Sequence, residues 1–117
     1  MDDIYKLRQY GRHTVVAFQT PSLVNAADVE RLRAALIRLV DQDKPPHLVL
    51  DFRRVQFLSS QVIGILLTLN KKLIGRAVDA TPLVLCGVGP QLIELLKISR
   101  LDRILTIKPT RKEAISE

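Results

Sequence analysis

The chain has 117 residues, of which 47% are hydrophobic and only 4% aromatic, so it can form one domain with an aliphatic core, which favours layered α/β packing. The single cysteine, Cys86, excludes an internal disulfide and a zinc site built from several cysteines, and no apolar run approaches the roughly 20 residues that a membrane helix requires. The formal net charge is +6, but the basic residues are scattered in short runs without interleaved aromatic residues, which disfavours nucleic acid as a partner.

The first third of the chain predicts a β-hairpin followed by an amphipathic helix. Residues 4–10 and 13–18 are rich in β-branched and apolar residues, and Gly11 begins a tight turn between them. From residue 26 the apolar side chains recur at spacings of three and four, which predicts a helix over residues 26–41. Asn25 directly precedes this helix and is its predicted N-cap.

The rest of the chain alternates between predicted strands and helices. The strands are predicted at residues 47–52, 82–86 and 104–107. The helices are predicted at residues 61–75 and 88–98, with a short terminal helix or tail at residues 109–117. Helices of this length between strands imply crossover connections and parallel pairing. The sequence therefore predicts an α/β fold in a single domain over residues 1–117, with its core over 13–108: one mixed sheet of about five strands with helices packed against it.

Residues that could carry catalysis are few. The segment Gly87-Val88-Gly89 lacks the third glycine of a dinucleotide-binding loop and is interpreted as a strand-to-helix turn. His13 and His47 each begin a predicted strand, with no cysteine or carboxylate at metal-ligand spacing. Asp51 ends the central strand, where we expect it to accept hydrogen bonds from the following loop rather than to act as an acid or base. The sequence therefore predicts no enzymatic activity, no cofactor and no metal site.

The pair Ser59-Ser60 stands between a strand-like stretch and a long apolar helix. This position puts the two hydroxyls at a helix N-terminus near the carboxyl end of the sheet, where the first N–H groups are unpaired and the helix dipole is positive. One interpretation is that a serine caps the helix, which contributes about 1 kcal/mol. The other is that a serine accepts a phosphate, which a helix N-terminus tolerates well. The residues alone leave both interpretations open.

Two longer segments carry a resemblance to a known family. LVLDFRRVQFLSSQVIGILLTLNKKL, followed by PLVLCGVGPQLIELLKISRLDRIL, resembles the STAS domain of bacterial anti-sigma-factor antagonists. That family has an apolar strand ending in Asp, a short loop, an apolar pair, and then Asp-Ser-Ser/Thr-Gly-Leu-Gly at the start of a helix. When Phe57-Leu58 is matched to the apolar pair and Gly64 to the final glycine, Ser60 takes the place of the serine that is phosphorylated in the family. The resemblance thus implies the STAS fold and phosphorylation at Ser60, with Ser59 as the second choice.

The match departs from the family pattern at several positions of the serine motif. Ser59 stands where the family has Asp, Gln61 where it has Ser or Thr, and Val62 where it has the first glycine. The resemblance implies a protein partner that is a serine-kinase anti-sigma factor, and it allows for a phosphatase that reverses the modification. The residues expected to contact the partner are Arg53, Arg54, Ser59, Ser60, Gln61 and Val62.

Two other functions are compatible with the sequence. A domain of the same fold could serve as an unphosphorylated scaffold subunit of a signalling or transport assembly. The basic charge alone would suggest a nucleotide-binding or nucleic-acid-binding protein, which the scattered distribution of the charges disfavours. The cysteine usage and the lack of a recognisable signal peptide predict a cytoplasmic location.

Overall fold

The computed structural model describes residues 4–75 and 81–116. The strands are β1 Tyr5–Tyr10, β2 His13–Phe18, β3 Ser22–Leu23, β4 His47–Asp51, β5 Phe57–Leu58, β6 Val84–Cys86 and β7 Thr106–Lys108. The helices are α1 Ala26–Arg38, α2 Ser60–Ile74, α3 Pro90–Ile98 and α4 Arg111–Ile115. A π-helical turn at Leu39–Asp43 follows α1, and a 3₁₀ turn at Leu101–Arg103 precedes β7.

Five of the strands form one mixed sheet in the order β1-β2-β4-β6-β7. The hairpin β1–β2 is antiparallel, and the pairs β2–β4, β4–β6 and β6–β7 are parallel. The hairpin turns at Gly11, whose φ of 61° is in the left-handed region that glycine adopts without steric cost. The predicted α/β fold with a single mixed five-stranded sheet is confirmed. The structure adds a separate parallel pair, β3–β5, which the sequence did not predict.

The predicted boundaries differ from the observed ones by one to three residues at most elements, including the end of α1 and the starts of β6, α3 and β7. The helix predicted over residues 26–41 is α-helical only as far as Arg38, because its last turn widens into the π-helical turn. That turn ends at Lys44, which adopts a left-handed conformation and donates its N–H to the carbonyl of Leu39. The last strand begins at Thr106, two residues later than predicted, because the 3₁₀ turn occupies the preceding segment.

The two faces of the sheet are covered unequally. Side chains of β2, β4 and β6 that point to one face join a large apolar core with α1, α2 and α3. The alternate side chains point to the other face, where α4 is the one helix of the described residues that packs, and they form a small cluster with it. The buried members of this small cluster are Val15, Val49, Cys86 and Ala114.

The connection from β4 to α2 is held in place by backbone hydrogen bonds. Phe52 donates its N–H to the carbonyl of Cys86 at 2.8 Å, which continues the β4–β6 pairing beyond the strand end. Further along, the N–H of Gln56 donates to the carbonyl of Pro21 at 2.7 Å, and the N–H of Ser59 donates to the carbonyl of Leu23 at 3.0 Å. The start of α2 is therefore fixed beside the segment that leads into α1.

Candidate functional site

Ser59 takes the N-cap position of α2 with extended backbone torsions, and its carbonyl accepts a hydrogen bond from the N–H of Val62 at 3.1 Å. Its side chain does not cap the helix. The Oγ atom is buried and has no hydrogen-bond partner among residues 4–75 and 81–116. In this conformation the Ser59 hydroxyl is out of reach of any modifying enzyme, and the capping hydrogen bond that the sequence allowed for is not formed.

Ser60 is the first residue of α2, and it is exposed. Within the described part of the chain, the first turn of α2 contains no acidic residue. The positive end of the helix dipole is therefore not neutralised by a carboxylate of that turn. An anion attached to Ser60 would be stabilised by the dipole and by the unpaired N–H groups of the first turn.

The other residues predicted for the contact surface fall into two groups. Arg53, Arg54 and Gln61 are exposed, and Arg54 donates from Nη1 to Oε1 of Gln19 at 3.1 Å. Val62 is different, because its side chain is only 2% exposed and packs in the large core. The structure therefore corrects the prediction at Val62, since a side chain on the buried face of α2 cannot contact a partner.

Two exposed apolar side chains lie on or beside the β3–β5 pair, and neither was predicted to contact a partner. Val24 and Phe57 are 50% and 56% exposed. Phe57 belongs to β5, two residues before the N-cap of α2, and Val24 directly follows β3, which pairs with β5. Phe is among the residue types that are enriched at protein interfaces, and Val24 adds further exposed apolar area. Strands of two residues show no periodicity, so this surface could not be predicted from the sequence pattern.

Asp51 is buried at the carboxyl end of β4 and accepts hydrogen bonds from two directions. Its Oδ1 accepts from the backbone N–H of Arg53 at 2.9 Å, as expected for the loop beyond the strand. Its Oδ2 accepts from Nε and Nη2 of Arg111 in α4, at 2.9 and 2.8 Å. Arg111 was not identified from the sequence, because 60 residues separate it from Asp51. The arrangement is a structural ion pair, which agrees with the predicted structural role of Asp51.

Cys86 and Gly87 lie next to Asp51, and Gly89 follows them in the turn that leads into α3. Burial, followed by the nearby Asp51 carboxylate, raises the pKa of the Cys86 thiol from 9.0 to about 12. A neutral buried thiol behaves as a small apolar side chain and not as a nucleophile. Gly87 has a φ of 67°, and a Cβ atom there would lie 2.9 Å from Oδ1 of Asp51. Gly89 is the N-cap of α3, so both glycines serve the strand-to-helix turn that was predicted.

The two histidines lie at the amino ends of β2 and β4, the opposite end of the sheet from Ser60. The rings of His13 and His47 stack with their centroids 4.7 Å apart, and Nδ1 of His47 lies 3.0 Å from Oγ1 of Thr81. In residues 4–75 and 81–116, no group of three His, Cys, Asp or Glu side chains could hold a metal ion. Among the same residues, no helix is long and apolar enough to cross a membrane.

A single mixed sheet with helices packed against it defines a small α/β domain, in which Ser60 is exposed at the start of α2. A family model of the STAS domain matches residues 5–114, and the chain belongs to the STAS domain family.

Solved structures of anti-sigma-factor antagonists share the fold. A STAS domain protein from Planctomyces limnophilus has a TM-score of 0.81 and 21% identity, with 94% of this chain and 92% of that chain covered. An anti-sigma factor antagonist from Mycobacterium paratuberculosis has a TM-score of 0.79 and 22% identity, with 95% and 89% covered. The Bacillus cell fate determinant SpoIIAA in the phosphorylated form has a TM-score of 0.70 and 23% identity, with 95% and 96% covered.

Proposed function

We propose that this protein is a non-enzymatic regulatory module of the anti-sigma-factor antagonist type, switched by phosphorylation of Ser60. The partner is a serine-kinase anti-sigma factor, which the unphosphorylated module binds in the cytoplasm. The observation that carries the proposal is the exposure of Ser60 at the uncompensated positive end of α2, next to a second serine whose hydroxyl is sealed. Of the two serines, only Ser60 is then available to a kinase without local unfolding.

Phosphorylation would weaken binding of the partner and would not unfold the domain. A phosphate adds about −1.5 to −2 charge at neutral pH, and a helix N-terminus stabilises that charge. The domain would therefore remain folded after modification. A partner packed over the start of α2 would have to desolvate the new anion or move away from it. Release of the partner is the expected result.

The proposed contact surface combines an apolar part and a polar part. Val24 and Phe57 supply exposed apolar area beside the serine. Arg53, Arg54 and Gln61 supply polar groups around it, with Ser59 beneath Ser60. Interfaces of this kind are apolar at the centre and polar at the rim. Val62 is left out because its side chain belongs to the core.

The test uses variants of the serine pair and a kinase-type anti-sigma factor from the same genome. Binding is measured by calorimetry for wild type, Ser60→Ala, Ser60→Asp and the control Ser59→Ala. We expect Ser60→Ala and Ser59→Ala to bind like wild type and Ser60→Asp to bind at least about tenfold more weakly, because it places a charge in the interface. If Ser60→Asp binds as tightly as Ser60→Ala, phosphorylation is not a switch.

Phosphate mapping gives an independent measurement of the same proposal. After incubation with the kinase and ATP, trypsin releases residues 55–71, which contain both serines. Fragmentation should place the phosphate on Ser60, and the Ser60→Ala variant should stay unmodified while Ser59→Ala is modified. Phosphate on Ser59 would show that the helix start opens before modification.

A scaffold without phosphorylation is the second candidate, and the motif itself favours it. Ser59 replaces the acid of the family pattern and Gln61 replaces a hydroxyl residue, so the sequence around Ser60 is not the usual kinase target. Size-exclusion chromatography with light scattering would then detect a stable complex of the endogenous protein. An unmodified Ser60 in that complex would favour the scaffold over the switch.

A further inference from the structure

A basic groove lies on the face of the sheet that α4 covers, opposite the large core. Its volume is about 220 Å³. The charged residues that line it are Lys6, Arg8, Asp51, Arg53, Arg54 and Arg111. They come from β1, from the end of β4 and the loop beyond it, and from the first residue of α4. The groove thus collects five of the cations that the sequence scatters along the chain.

The small side chains of β2 make this region concave. Lys6 pairs with Ala17 and Arg8 pairs with Val15 in the antiparallel hairpin, so both cations point to the same face as Asp51, which pairs with Ala17 from the other side. Long basic side chains on β1 therefore stand beside a row of short ones. The result is a depression with a positively charged wall.

Two of the arginines are held in place before any ligand arrives. Arg111 donates from Nε and Nη2 to Oδ2 of Asp51 and from Nη1 to the hydroxyl of Tyr10, at 2.8 to 3.1 Å. Arg54 is held by its hydrogen bond to Gln19. A guanidinium fixed in this way loses little side-chain entropy when it binds an anion.

The charges in the groove are not balanced. Among residues 4–75 and 81–116, Asp51 is the one carboxylate that lines the groove, and Arg111 already engages it. In the described part of the chain, neither Lys6, Arg8 nor Arg53 has a carboxylate within ion-pair distance. Like charges in a concave site repel one another. Binding of an anion reduces this repulsion and therefore lowers the free energy of the protein.

We propose that this groove is a binding site for a small phosphate-bearing anion. Four of its five cations are arginines. Asp51 already engages Arg111, and among the described residues no carboxylate engages Arg8, Arg53 or Arg54, whose planar forks can match phosphate oxygens in pairs. Its volume is below the roughly 300–1,000 Å³ of pockets that enclose drug-sized ligands. The groove therefore fits one or two phosphate groups, either as a free anion or as the phosphate end of a larger molecule. The inference does not rest on phosphorylation of Ser60, because Ser60 does not line the groove.

Calorimetric titration at low salt tests the site, with sodium pyrophosphate as the probe. The variant is Lys6→Gln/Arg8→Gln, whose side chains are exposed on the edge strand and, among the described residues, form no ion pair with Asp51. The matched control is Lys97→Gln/Arg103→Gln, which removes the same two charges from exposed positions outside the groove. We expect saturable binding at one site, weakened at least about tenfold in the groove variant and changed by less than about twofold in the control.

A second titration with a nucleoside diphosphate separates the two sources of the phosphate. Tighter binding of the nucleotide than of pyrophosphate would assign the groove to a larger ligand, and equal binding would assign it to the free anion. The proposal is overturned if wild type shows no saturable binding of pyrophosphate, or if the control loses as much affinity as the groove variant. An acidic peptide that binds where pyrophosphate does not would also overturn it.

Discussion

Asp51 connects three segments that are far apart in the sequence. Its side chain is 6% exposed, and its two oxygens accept from the loop after β4 and from Arg111 at the start of α4. The side chain of Arg111 is 33% exposed, so the two partners of this ion pair differ in their access to water. Removal of Arg111 should therefore lower the free energy of unfolding more than removal of Asp51, because it leaves the more buried charge unpaired.

This asymmetry leads to a prediction for single substitutions. Arg111→Leu should lower the free energy of unfolding by about 3 kcal/mol, since it leaves the Asp51 carboxylate buried with only the Arg53 N–H as partner. Asp51→Asn should cost less, because the amide oxygen still accepts from Arg53 and the partly exposed Arg111 can be hydrated. Urea unfolding of both variants gives the two values.

The control for this prediction is Arg103→Leu, which removes the charge of an exposed arginine. Among residues 4–75 and 81–116, Arg103 makes no ion pair. Its effect should remain within about 0.5 kcal/mol of wild type. If Arg111→Leu has no larger effect than this control, the ion pair does not stabilise the fold.

At the scale of the secondary-structure elements, the two long helices that follow β3 and β5 begin in different ways. Asn25 caps α1 with its side chain, whose Oδ1 accepts from the N–H groups of Ala27 and Asp28 at 3.0 and 3.1 Å. Ser59 is the N-cap of α2, but its hydroxyl makes no such bond and is buried without a partner in the described part of the chain. A helix start without its cap is less stable and more open to local rearrangement.

The two N-caps should therefore respond in opposite ways to alanine. Asn25→Ala should lower the free energy of unfolding by about 1 kcal/mol, because two hydrogen bonds to the first turn are lost. Ser59→Ala should leave it unchanged or raise it, since it removes a buried polar atom that makes no hydrogen bond. Chemical denaturation of both variants makes the comparison, and a loss of 1 kcal/mol or more (about the cost of a lost cap) in Ser59→Ala would mean that its hydroxyl caps α2 in solution.

The elements that could be predicted from the sequence are those with a local pattern. The hairpin, α1, α2 and the buried strand β4 each show a period or a continuous apolar run, and Asn25 was identified as an N-cap from its position alone. The pair β3–β5 could not be predicted, because strands of two residues have no period. At the site, Ser60 could be located by motif, whereas the burial of Val62 depends on how α2 turns against the sheet. The pairing of Arg111 with Asp51 depends on the tertiary fold.

At the scale of the whole molecule, the unequal covering of the sheet separates two tasks. The large core beneath α1, α2 and α3 holds the start of α2 in place, and with it the exposed Ser60. On the other face, α4 is the one helix in the described part of the chain, where it covers a small cluster that contains Cys86, and the basic groove lies beside it. The proposed partner would therefore bind at the start of α2, and the proposed anion would bind in the groove beside α4. Arg53 and Arg54, in the loop between β4 and β5, are the residues common to both proposals.

The free energy of unfolding should depend on pH through Cys86, which is buried on the face of the sheet that α4 covers. Burial and the Asp51 carboxylate raise the pKa of this thiol from 9.0 to about 12, so the thiol stays protonated in the folded state after it has ionised in the unfolded state. The unfolded state then binds fewer protons, and stability falls as pH rises above 9.0, by about 1.4 kcal/mol per pH unit. Below that pH the contribution of the thiol is fully present.

Cys86→Ala removes this titration and leaves the other ionisable groups in place, so their effects cancel in a comparison. The difference in unfolding free energy between wild type and the variant should be constant from pH 7 to pH 8.5 and should shrink steadily from pH 9 to pH 10.5, on the order of 1 kcal/mol or more. Urea unfolding at fixed ionic strength measures it. A difference that does not change with pH would show that Cys86 ionises equally easily in both states, and hence that α4 does not keep water from this face of the sheet.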